Sequence, residues 1–276
     1  MNNKLYCSSG AVVSPLNGWD ETLLYRCCPH IEADGIELMM VKPYYQKVKE
    51  LLYAIERSGL SFPILHVEKD IGIYMASEDD EDVKEGLELF RLNCDIASRI
   101  GAERAVFHLW SGAVSDTCLH NNLSRLDMLY ECAERAGVTL LIENVPCVKN
   151  DPITNFRAVA EKRKNAEFVY DMRFGGFHSQ NEAFLESPLL CGIGDRGERI
   201  SHVHVSGYKG PHGDFSSLRP ILHLDMGIVD YNALLPVLFS KYGGSVTNES
   251  PASDEGGCNV ELINRDMEML KKYSRK

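Results

Sequence analysis

The stretch Gly137-Val138-Thr139-Leu140-Leu141-Ile142-Glu143-Asn144-Val145-Pro146 reads as a strand with an abrupt end. Five apolar or β-branched residues follow a glycine, and the run then stops in a carboxylate, an amide and a proline. A strand buried on both faces gives such an unbroken apolar run, as strands of parallel sheets do. Working outward, the same unit recurs. Before it, strands are expected at Leu5–Ser9, Gly35–Met40, Phe62–Val67 and Arg104–Trp110. After it they are expected at Phe168–Asp171, Ile200–Val205 and Gly244–Glu249. Amphipathic segments separate them: Asp20–Cys28, Tyr44–Ser58, Ser77 to about Ile100, Asn121–Ala136, Asp151–Lys164, Tyr231–Lys241 and Cys258–Tyr273. Glycines at 59, 101 and 137 stand where helices stop, and Pro152 stands where one starts. Tyr208–Met226, rich in Gly, Pro, His and Asp, reads as a long loop.

Eight βα units imply parallel strands joined by right-handed crossovers. Their number, in 276 residues with no linker or charge block, predicts an α/β fold: a single (β/α)8 TIM barrel occupying residues 1–276. A doubly wound dinucleotide-binding sheet is the alternative, but no GxGxxG follows the first strand, and Cys191-Gly192-Ile193-Gly194-Asp195 does not replace it. The net charge of −11 argues against nucleic acid as partner. Nine cysteines, an odd number without a CxxC pair, suit reduced thiols in a cytoplasmic protein. No signal peptide and no run near the ~18 residues of a membrane span is read, so no membrane partner is expected. A homo-oligomer is left open.

In such a barrel, chemistry gathers at the C-terminal ends of the strands. The polar residues there are Glu37, His66, His108, Glu143, Asp171, His204 and Glu249, so seven of eight strands end in a carboxylate or an imidazole. All are donors that suit a divalent cation. Converging carboxylates are costly to bury without one.

These residues lie in motifs that resemble the xylose isomerase-like barrels, a superfamily that also contains the endonuclease IV enzymes. The motifs are Gly35-Ile36-Glu37-Leu38, His66 with Ile71-Gly72 and Met75-Ala76-Ser77, Val106-Phe107-His108, Ile142-Glu143-Asn144, Tyr170-Asp171, His202-Val203-His204 and Asn248-Glu249-Ser250. The resemblance implies one to three divalent ions such as Mn²⁺, Mg²⁺ or Zn²⁺, and a four-ligand core that falls on Glu143, Asp171, His204 and Glu249. His202, two residues away on the same strand face, is left as a second-layer residue. His66 and His108 look like the extra ligands of the endonuclease IV branch, and His223 takes the place of another. The expected histidine after the strand-six aspartate is Phe174, with His178 nearby. The aspartates expected before His223 and after the strand-seven histidine are Ile221 and Gly207. These departures point to one or two metals rather than three.

Two mechanisms fit this core. In the first, a metal-dependent isomerase or epimerase of a small sugar or sugar phosphate uses Glu143 and Glu249 as its catalytic proton-transfer pair. In the second, one or two metals, bridged by Glu143, hydrolyse a phosphoester. Lys42, Lys69, Arg173, Lys209 and Arg219 are candidates to meet a phosphate. A non-catalytic binding barrel is the third reading.

Overall fold

The computed structural model describes residues 3–191 and 194–274. Eight strands close into one parallel barrel in sequence order. They are β1 (Leu5–Ser8), β2 (Gly35–Met39), β3 (Ile64–His66), β4 (Arg104–Phe107), β5 (Thr139–Glu143), β6 (Glu167–Asp171), β7 (Arg199–Val205) and β8 (Ser245–Asn248). β1 pairs with β8 to complete the ring, Leu5 opposite Val246. Within the stretch Gly137–Pro146, Thr139–Glu143 form β5, which pairs β4 at Val106–Leu141 and β6 at Leu141–Glu167.

The apolar run at β5 faces both ways. Leu140 and Ile142 join the large core between barrel and helices. Leu141 packs inside with Ile64, Val106 and Val169, and Tyr6 rests against them. Period-two alternation then carries the inner face one layer up, to His66, His108, Glu143 and Asp171. The opposite half of the interior is polar even at the middle layer: Glu37, His202 and Thr247 are fully buried there.

The helices differ from the sequence expectation in places. The predicted Ser77–Ile100 helix begins at Asp80, capped by Asp79, and ends at Arg99. A separate helix, Ile71–Ala76, precedes it. It could not be read from periodicity because it has fewer than two turns. The predicted Asn121–Ala136 helix is two, Leu119–Ser124 and Leu126–Arg135. The break falls at Arg125, whose guanidinium donates to the carbonyls of Met75 and Ser77 at 2.6 and 2.8 Å. Gly101 and Gly137 each follow a helix with φ of +74°, where a Cβ would be strained. Pro152 starts its helix, with Asp151 accepting from Ile153 N and Thr154 N. Between β6 and β7 lie three short helices that the sequence reading passed over: Met172–Phe177, Asn181–Leu185 and Pro188–Cys191. Residues 192 and 193 of the glycine-rich stretch lie outside the described residues. β8 stops at Asn248 and leaves Glu249 on the loop just beyond. Among the described residues, no helix is long and apolar enough to cross a membrane.

Candidate metal centre

Glu143 is the hub. It is buried at the end of β5, and imidazoles from three other strands reach its two oxygens. His204 Nδ1 lies 2.8 Å from Oε1. His108 Nε2 lies 2.5 Å and His66 Nε2 3.3 Å from Oε2. His66 Nδ1 is 2.9 Å from the Val67 carbonyl, which can only accept, so Nδ1 carries the proton. A neutral His66 therefore turns a lone pair, not a proton, toward Glu143. That contact favours a cation between them.

Asp171 closes another side. It caps the Met172–Phe177 helix, its Oδ1 accepting from Arg173 N at 2.6 Å and Phe174 N at 3.2 Å. Asn144 clamps its backbone by accepting from Asp171 N and donating to Asp171 O. The other oxygen, Oδ2, is buried without a hydrogen-bond partner, and the Arg173 guanidinium stays 3.8 Å away. Glu249 Oε1 lies 3.6 Å from His204 Nδ1. Three carboxylates thus converge on one imidazole nitrogen and its surroundings.

One layer separates His204 from His202 on the inner face of β7. His204 Nε2 faces Glu37, 3.2 Å from its Oε2. His202 sits one layer lower, with Nε2 at 3.0 Å from Glu37 Oε2 and Nδ1 at 2.7 Å from Ser245 Oγ. Thr247 donates to Glu37 Oε2 at 2.7 Å. His202 thus lies on the same inner face as His204 but reaches neither Glu143 nor Glu249 among the ion pairs formed.

The electrostatics follow from this crowding. Burial alone would raise Glu143, but the imidazoles of His108 and His204 outweigh it and hold the carboxyl well below its usual range. Glu37 is held low in the same way by His204 and His202. Burial, with Glu249 and Glu143 beside it, pushes Asp171 up to about 7 against the pull of Arg173. Burial drives His108 down to about 4. His204, desolvated but ringed by Glu37, Glu249 and Glu143, is raised well above its ordinary value. Asp171 thus combines a carboxyl raised by burial with a buried oxygen, Oδ2, that has no hydrogen-bond partner among the described residues.

Among the described residues, four groups of side chains are close enough to share an ion: Glu143–Asp171–His204, His66–His204–Glu249, His66–His108–Glu143 and Glu37–His202–His204. Glu143, Asp171, His204, Glu249, His66 and His108 are therefore brought together. His223 lies in none of these groups. Its Nδ1 is 2.7 Å from Asp266 Oδ2 on the Val260–Ser274 helix. His178 Nε2 accepts from Cys147 N at 3.1 Å, so this histidine is engaged with the loop after β5. Glu37 appeared in the sequence as a strand-end carboxylate, but its contact with His204 did not. The alternation Glu37, Met39 on β2 against His202, His204 on β7 is the signal, legible only once the layers are aligned.

The family model described as "Xylose isomerase-like TIM barrel" matches residues 29–273. The chain belongs to the xylose isomerase-like TIM barrel family. This barrel superposes on a D-tagatose 3-epimerase-like protein with 22% identity and a TM-score of 0.69, over 98% of this chain and 96% of that one. It also superposes on an L-ribulose 3-epimerase with 16% identity and a TM-score of 0.70, over 99% and 96%. An IolI protein with a bound zinc atom matches with 17% identity and a TM-score of 0.70, over 98% and 99%. At these identities the likeness establishes the fold. No protein of curated function matches the sequence.

A cleft of about 600 Å³ opens at the barrel mouth. Its wall includes His108, Val145, Pro146, Arg173, Phe174 and Phe215. It meets the Glu143 cluster at His108, on the face where the βα loops gather.

Proposed function

We propose that this barrel is a divalent-metal-dependent isomerase or epimerase of a small sugar or sugar phosphate. The observation that carries the reading is the convergence of Glu143, Asp171 and Glu249 on His204, with Asp171 Oδ2 buried and unpartnered. Glu143, Asp171, His204 and Glu249 would hold the ion. When bound, it supplies positive charge that polarises a carbonyl and its neighbouring hydroxyl. Glu143 and Glu249 are the proton-transfer pair. One carboxylate removes the proton from the carbon next to the carbonyl, and the electron pair moves onto the carbonyl oxygen. The other, as carboxylic acid, returns a proton to the opposite face of the same carbon as the electron pair comes back from the oxygen, which is epimerisation. For isomerisation the proton goes to the former carbonyl carbon, while the neighbouring hydroxyl passes its proton to the former carbonyl oxygen and becomes the new carbonyl. His204 steers both, since its Nδ1 faces both carboxylates. The epimerases among the structural neighbours agree with this reading.

A second reading has its own observation. His66 and His108 both face Glu143 Oε2, so His66, His108 and Glu143 would be able to hold a second ion beside the first. Two metals in that arrangement suit a phosphoester hydrolase. Metal content by elemental mass spectrometry, combined with deuterium uptake from D2O into a panel of ketoses, separates the two. About one ion per chain with exchange at the carbon beside the carbonyl supports the isomerase. Two ions per chain, no exchange and phosphate release support the hydrolase. A protein that takes up no metal on reconstitution overturns both and leaves a binding barrel.

A further inference from the structure

On a chain of net charge −11, the cleft above the metal centre is locally positive. Lys69, Arg173 and Arg219 line it against a single carboxylate, Asp70. Asp70 is already held by Lys42 at 2.7 Å. Of the five cations singled out in the sequence, Lys42 and Lys209 are not in the cleft wall.

Arg173 is the built part of this surface. It is 5% exposed, yet its guanidinium is largely unspent. Nη1 donates to the Leu218 carbonyl at 3.1 Å, Nη2 stays 3.8 Å from Asp171, and Nε has no partner. Its plane is held over the Phe174 ring, with Cζ 4.3 Å from the centroid. That ring in turn meets the His108 imidazole edge-on at 6.3 Å. A buried guanidinium with free donors, fixed by stacking, is preorganised for a planar or tetrahedral anion. Lys69 and Arg219 are in no ion pair among the described residues. A sugar hydroxyl could satisfy Arg173 Nε, but it would leave the charges of Lys69 and Arg219 without use.

We propose that the substrate carries an anionic group, a phosphate or a carboxylate, seated among Lys69, Arg173 and Arg219. This rests on the isomerase reading of the metal centre and names its substrate class: a small polyhydroxy carbonyl compound with a negative charge. Phe174 and Phe215 form apolar parts of the wall, so the cations are the groups there that select the ligand.

The test uses the metal-loaded protein and the double variant Lys69→Gln/Arg219→Gln, both checked for equal metal content. Inorganic phosphate is titrated by calorimetry, and deuterium uptake is followed with a ketose, its terminal phosphate and the corresponding keto acid. Phosphate is expected to bind the variant at least about tenfold more weakly than the parent. The charged compounds are expected to exceed the neutral ketose in kcat/KM by about tenfold or more. The variant is expected to lose that advantage through KM. Whichever charged compound exchanges faster identifies phosphate or carboxylate. Equal phosphate binding by parent and variant, or a preference for the neutral ketose, overturns the proposal. If no compound exchanges but phosphate binding still depends on the two cations, the anion site stands and the isomerase reading falls.

Discussion

Glu37 is expected to set the metal affinity without touching the metal. Its carboxylate receives Thr247 Oγ1 at 2.7 Å, His202 Nε2 at 3.0 Å and His204 Nε2 at 3.2 Å. A proton on His204 Nε2 leaves Nδ1, the atom that faces Glu143 and Glu249, as the metal-facing nitrogen. Glu37→Gln keeps the volume and an oxygen for these three contacts, which all reach Oε2, but removes the negative charge that the two imidazoles face. Each hydrogen bond lost to a charged group costs roughly 1.5–3 kcal/mol. Outer-sphere partners of metal-bound histidines are worth about 10–100-fold in metal affinity, which is about 1.4–2.7 kcal/mol. The assay is competition for Mn²⁺ or Zn²⁺ against a chelator of known affinity, with thermal unfolding of the metal-free proteins alongside. The expected result is weaker metal binding by one to two orders of magnitude. If Glu37→Gln unfolds at a lower temperature yet binds metal as the parent does, Glu37 only supports the core, and the positioning argument is refuted.

Other outcomes are expected from the same geometry. Glu143→Gln removes the carboxylate shared by three imidazoles, so metal content should drop and proton exchange should fall by about 10²–10⁴-fold; unchanged exchange in stopped-assay NMR would remove Glu143 from the reaction. In metal-free protein, Asp171 binds a proton at higher pH folded than unfolded, so its contribution is present at low pH and is lost as pH rises from about 4 toward about 7. Stability should decline there by up to about 1.4 kcal/mol per pH unit. Asp171→Asn keeps the helix cap and should flatten that decline in urea titrations at pH 5 and 7; parallel slopes would contradict it. Gly72→Ala would place a Cβ 2.0 Å from the His108 carbonyl oxygen, a backbone atom that cannot move aside without shifting the end of β4. A loss of about 1–3 kcal/mol with weakened metal binding is expected, and an unaltered denaturation midpoint would show that the loop yields.

Much of the fold was legible because the barrel repeats one physical pattern. Strands such as β4 and β5 are short apolar runs, and helix stops such as Gly101 and Gly137 sit where a left-handed residue is needed. What escaped were elements too short to show a period, such as Ile71–Ala76 and the three helices between β6 and β7. The Arg125 break was also hidden, because its cause is a contact with carbonyls some fifty positions away. At the site, Glu143, Asp171, His204, Glu249, His66 and His108 could be read from their places at strand ends. The engagement of His223 with Asp266 could not, because the partner belongs to the last helix.

The sequence by itself determined the barrel and the ring of carboxylates and imidazoles at its mouth, since strand periodicity fixes which residues share the inner face. Only the tertiary structure decided which of these touch. It set His204 between Glu143 and Glu37 and lowered His202 by one layer, because closing the barrel aligns β7 with β2, which lie far apart in the chain. It also placed Lys69, Arg173 and Arg219, of five similar cations, in the wall of the cleft, because the shape of the cleft rather than proximity to a strand end decides which side chains line it.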